Sequence, residues 1–167
     1  YGGLLVPAIE VGYASSLLHQ VDPAGIVSTT EIPTGVLMDA AWAHDWRSLW
    51  MITREALWTV PVDPYGAPLT GAVPALVAPL PLGQFEVGTD LTVDACGRLY
   101  LVLAVPLGPG RVSRYDPVTA TFTDLPGIVF YRYGAVSPLR FGRAPGEETV
   151  LGTISATWGG VGHVWLL

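Results

Sequence analysis

The chemistry available to this 167-residue chain rests first on its acidic side chains. Asp39, Asp45, Asp90 and Asp94 fall on or beside apolar, strand-like runs. Carboxylates converging from such runs could hold a cation such as Ca²⁺, which takes roughly 6 to 8 oxygen ligands. Asp45 and Asp94 have a competing role, because Asp in a turn bonds the backbone N–H groups that follow it. Asp39 and Asp90 are therefore the freer candidates for ligand contact. Of the six Trp, Trp46 and Trp158 fall at or near loops and could offer a stacking platform to a sugar or a protein, although core packing is the favoured reading of both. Trp50 and Trp58 sit inside strand-like runs and read as packing residues.

Other reactive types are sparse. His19, His44 and His163 lack the close spacing of metal ligands, so no metal site is assigned. Cys96 is the single cysteine, has no neighbouring His to lower its pKa, and reads as a small turn residue. There is no Gly-x-Ser-x-Gly elbow, phosphate loop or dinucleotide fingerprint. No residue is assigned as catalytic, and a non-catalytic role is favoured.

Composition narrows the partners. The formal net charge is −6, which argues against nucleic acid, since that binding rests on neutralising phosphates. Half the residues are hydrophobic and only 13% are charged, well under the roughly 25% of an average domain. The longest apolar stretch, residues 69–83, is broken by Pro74, Pro79 and Pro81, and Pro is excluded from a helix interior. No transmembrane helix is expected. All eight basic residues are Arg, and neither Lys nor Asn occurs, which points to a GC-rich, bacterial genome.

What must position these residues is a repeat. Asp22-Pro23, Asp63-Pro64 and Asp116-Pro117 each follow a strand-like run, at 17–21, 57–62 and 111–115. Asp and Pro suit the first two positions of a turn, with Gly later where φ must be positive. A second run follows each, at 26–32, 67–73 and 119–125, and ends at Pro33, Pro74 and Pro126. Upstream, Asp94-Ala95-Cys96-Gly97-Arg98-Leu99-Tyr100 parallels His44-Asp45-Trp46-Arg47-Ser48-Leu49-Trp50. Each copy reads as a turn leading into a strand that opens with Leu and an aromatic. Together the patterns define a four-stranded unit repeating at 41 and 53 residues, the longer interval holding an insertion at 75–86.

A four-stranded unit at this period is a β-propeller signature. The segments Asp94-Ala95-Cys96-Gly97-Arg98-Leu99-Tyr100 and Arg114-Tyr115-Asp116-Pro117-Val118-Thr119 resemble the blade consensus of NHL-type and gluconolactonase-like propellers. The resemblance implies Asp94 and Gly97 in the first turn of a blade, and Asp22, Asp63 and Asp116 in turns between third and fourth strands. It implies no ligand set, because the metal of gluconolactonase-like propellers is held partly by Asn, which this chain lacks. No cofactor is assigned, Ca²⁺ being the one cation left open.

The expected fold is all-β: a propeller of about three and a half four-stranded antiparallel blades, as a partial propeller or a compact four-bladed one. The blade pieces fall near 1–34, 35–75, 86–127 and 128–167 of a single domain, with about 14 strands and almost no helix. Strands at the two ends are missing from a closed ring, so residues such as Leu5, Val150, Leu151, Ile154, Val164 and Trp165 are expected to be covered. Protein subunits or the remainder of a longer chain would cover them. The function expected is a binding or scaffold propeller, mediating protein contacts within a larger bacterial assembly. A lactonase- or lyase-like enzyme with part of its site elsewhere, and a carbohydrate-binding propeller, are the alternatives. An exported, periplasmic or secreted setting is slightly favoured.

Overall fold

A computed structural model describes residues 4–9, 15–21, 25, 27–32, 34–69, 71–106, 109–131, 139–142, 150–156 and 162–165. Among them every regular element is a strand and every pairing is antiparallel. Backbone contacts divide the chain into two compact units, Tyr1–Leu80 and Pro81–Leu167. The division falls inside the stretch expected to be an insertion.

The first unit opens with a three-stranded meander: β1 (Leu4–Ile9), β2 (Ser16–Val21) and β3 (Val27–Ile32). A four-stranded meander follows: β4 (Leu37–Trp42), β5 (Ser48–Thr53), β6 (Ala56–Pro61) and β7 (Ala75–Pro79). Alternation of side chains across a strand sends Leu49 and Met51 of β5 to one face, where both are fully buried. They meet Leu18 and Ile32 from the first sheet and Leu37, Val60 and Val62 from their own. At about 25 cal/mol per Å² of apolar surface, this sheet-on-sheet cluster is the main force holding the unit together. A buried polar latch supplements it: Ser16 Oγ donates to Gly35 O at 2.9 Å and accepts from Leu37 N at 2.8 Å.

The second unit repeats the plan with the order reversed. Its four-stranded meander is β8 (Val87–Val93), β9 (Leu99–Ala104), β10 (Pro109–Asp116) and β11 (Thr121–Tyr131). A three-stranded one follows, β12 (Leu139–Gly142), β13 (Val150–Ala156) and β14 (Gly162–Trp165), with β12 beside β8. Every residue from Leu101 to Ala104 is buried. The middle of β9 is thus covered on both faces, as a strand inside stacked sheets must be.

The structure corrects the expected fourth strand of the first full sheet. The chain leaves the Asp63 turn pairing only briefly, through Leu69 N to Pro61 O and a Val62–Pro68 bridge. It then turns at Gly71 (φ 77°) and pairs with β6 only from Ala75. So residues 67–73 are not the fourth strand, which falls in the supposed insertion. The cause is proline: Pro74 has no N–H to give a ladder, so pairing resumes beyond it. β11 behaves alike. Its register with β10 jumps from Ser113↔Asp124 to Arg111↔Val129, and Pro126 lies in the resulting bulge, where no donor is required. Pro74 thus immediately precedes its fourth strand and Pro126 interrupts one, and neither ends it.

Candidate functional site

One local device builds the loops. Asp63 Oδ1 accepts from the backbone N–H of Tyr65 (2.8 Å) and Ala67 (2.9 Å). Asp94 Oδ1 accepts from Cys96 (2.8 Å) and Arg98 (2.9 Å) in the same pattern. In both, the fourth residue donates back to the Asp carbonyl, Gly66 to Asp63 and Gly97 to Asp94, and takes a positive φ of 86° and 80°. The Asp-Pro turn after a third strand and the Asp-x-x-Gly turn after a first strand are one motif at two places in a sheet. Asp116 Oδ1 accepts from Val118 (2.8 Å) and Thr119 (3.4 Å), and the positive φ falls on Ala120. Asp22 lies outside the described residues.

The first turn of the first full sheet departs from this motif. Ala43 N donates to Ser48 O, and Trp46 N to Ala43 O, so Ala43 stands where Asp94 stands in the second sheet. His44, which the sequence comparison aligned with Asp94, is one place further on, and the loop is one residue longer. Trp46 occupies the position of Gly97, with φ 58°. A bulky side chain in that region costs about 1–3 kcal/mol. Burial does not recover that cost in full, because Trp46 remains 52% exposed.

In a meander the first–second and third–fourth turns emerge at the same end. The 43–48 loop therefore lies beside the 62–66 loop, and two hydrogen bonds fix them together. Val62 N donates to Arg47 O at 3.0 Å. Trp42 Nε1 donates to Gly66 O at 3.0 Å. The Trp42 and Trp46 rings meet with centroids 5.4 Å apart. Gly66 is obligatory here: besides its φ, a Cβ would stand 2.6 Å from Trp42 Nε1. Between the loops is an open concavity of about 390 Å³, lined by Asp45, Trp46 and Arg47 on one side and Asp63, Pro64 and Tyr65 on the other. Tyr65 is 79% exposed. Asp45 Oδ1 accepts from Arg47 N, so each carboxylate commits one oxygen to its own turn.

Asp39 and Asp90 occupy matching places, each immediately after a register shift in a first strand, opposite Ile52 and Val102. Each accepts from the next residue's N–H at 2.8 Å, Ala40 for Asp39 and Leu91 for Asp90. Asp90 is buried and Asp39 half-buried. Among the described residues no three His, Cys, Asp or Glu side chains cluster as a metal would require. Trp158 lies outside the described residues, as do the side chains of Leu5, Val150, Leu151, Ile154, Val164 and Trp165. Tyr65 was passed over by sequence reasoning because its turn role masked it. An aromatic in the middle of an Asp-Pro turn, at the same end as Trp46, was the available signal.

In the second unit Arg111 is a structural hub. It bonds Glu86 (3.0 Å), Asp124 and the carbonyl of Pro81. Burial raises the Glu86 pKa, but the bonds from Arg111 and from Gly83 N–H outweigh it and hold the carboxyl below its ordinary value. Arg98 pairs with the buried Asp94 carboxylate at 2.7 Å, and the Tyr100 hydroxyl donates to it at 3.3 Å. Burial first, then the Asp94 charge and bond, push the Tyr100 pKa up.

No protein-family model matches the chain, and no curated protein does. Solved structures do. TolB from Acinetobacter baumannii superposes with a TM-score of 0.60 at 12% identity, over 99% of this chain and 38% of that one. Puromycin hydrolase superposes with a TM-score of 0.53 at 18% identity, over 92% of this chain and 23% of that one. The chain thus spans well under half the length of either of these two structures. At these identities the likeness establishes fold: the antiparallel meanders are β-propeller blades.

Proposed function

We propose that this chain is a binding module, which uses the loop end of its first four-stranded sheet to recognise a protein segment. The observation that carries this reading is Trp46. The fold holds a large aromatic in a conformation suited to Gly and then leaves half of it in solvent beside Tyr65. Backbone strain without compensating burial is characteristic of positions kept for contact, and exposed Trp and Tyr are the side chains on which interfaces concentrate their energy. The loops are pre-tied by the Trp42–Gly66 and Val62–Arg47 bonds, which lowers the ordering cost of binding. Leu69, Val73 and Leu76 of the same unit are also exposed.

The test is selection of peptides from a random displayed library on the whole chain, followed by affinity measurement on variants. Selected peptides should lose at least tenfold in affinity on Trp46→Ala or Tyr65→Ala, as truncation of an aromatic anchor does. Peptides that bind both variants as tightly as the parent would refute the proposal.

A further inference from the structure

We infer that the 43–48/62–66 concavity selects a positively charged side chain, an arginine or lysine of the bound segment. The inference rests on the binding reading above and adds the chemistry of the ligand. Two carboxylates, Asp45 and Asp63, and one guanidinium, Arg47, line the same opening, leaving an excess of one negative charge. Two exposed aromatic rings, Trp46 and Tyr65, flank it, and an aromatic face attracts a cation electrostatically. The carboxylates and both rings thus share one preference, with Arg47 the exception. The chain's net charge of −6 adds a long-range bias toward cationic partners. The carboxylates are also held in place, each with Oδ1 engaged by its own turn. A cation entering the opening therefore meets carboxylates whose turns are already closed, so that the loops need not reorganise. A neutral sugar could stack on the rings and bond Asp and Arg alike, but would leave the charge excess unused.

Nuclear magnetic resonance titration of the isotope-labelled chain tests this. The probes are four blocked seven-residue alanine peptides whose central residue is arginine, lysine, glutamine or glutamate. The arginine and lysine peptides should move the Trp46 indole N–H and the Tyr65 amide, binding at least about threefold more tightly than the glutamine peptide. Asp45→Asn, which retains an oxygen for the Arg47 N–H, should weaken the arginine peptide about threefold and leave the glutamine peptide unchanged. Raising salt from about 0.02 to 0.5 M should weaken only the cationic probes. Equal binding of arginine and glutamine peptides overturns the inference. So does insensitivity to Asp45→Asn, or a response of the same signals to maltoheptaose or chitotriose with no response to the cationic peptides. Library peptides that need Trp46 but lack basic residues would remove the charge preference and leave the binding reading standing. Library peptides indifferent to Trp46 and Tyr65 would remove both.

Discussion

At the scale of single residues, the recurring theme is an Asp whose carboxylate closes its own turn. Asp94 carries the heaviest load. It is buried, accepts from two backbone N–H groups, and holds Arg98 and Tyr100 as well. Asp94→Ala should cost about 2–3 kcal/mol, since it leaves those donors unsatisfied. Asp94→Asn should cost about half as much, because it retains the Oδ1 acceptor. Urea denaturation of both variants checks the ordering, and equal losses would contradict it. The left-handed positions offer the opposite sign. Ala120→Gly should stabilise by about 0.5–1 kcal/mol, since φ 53° penalises any Cβ. Trp46→Gly should relieve similar strain while losing the Trp42 ring contact, and so change stability by less than about 1 kcal/mol. The same substitution should abolish peptide binding. A large loss of stability instead would mean that Trp46 serves the fold.

At the scale of elements, bulges and latches decide how the strands meet. Ser16 bonds Gly35 O and Leu37 N, joining β2 to the entry of β4 within the first unit. Ser16→Ala would bury an unpaired N–H and an unpaired carbonyl, at a cost of about 1–3 kcal/mol, measurable as a lowered urea midpoint. In the second unit Arg111 ties residues 81–86 to β10 and β11 through Glu86 and Asp124. The Glu86 carboxyl is held below its ordinary value of 4.5. A folded pKa below the unfolded one means the contribution is present in full above pH 4.5. It is lost as pH falls through the lower folded value. Arg111→Met should therefore flatten the decline in stability below pH 4.5 relative to the parent. Parallel stability–pH curves for the two proteins would remove Glu86 as the group responsible.

At the scale of the whole molecule, each compact unit holds one four-stranded and one three-stranded meander. Stability should be concentrated in strands that are both paired on two sides and buried. Hydrogen exchange should therefore be slow in β5 and β9, around Leu49, Met51, Leu101 and Leu103, and faster in β7, whose burial is slight. Protection of β7 equal to that of β5 would mean that another surface covers it. The sequence by itself determined the strands, their antiparallel order and the blade unit. Those features are local: alternation sets a strand, and Asp, Pro and Gly set a turn through their own dihedrals and hydrogen bonds. It could not determine where a fourth strand resumes after Pro74, because pairing across a bulge depends on the partner strand and not on neighbours in the chain. Nor could it bring Tyr65 to Trp46. They lie 19 positions apart by number, and only the meander, which returns alternate turns to the same end, places them around one opening. Tertiary structure alone also decided that Trp46 stands in the position of Gly97. The added loop residue shifts that alignment by one, and the shift is visible only in the backbone hydrogen bonds.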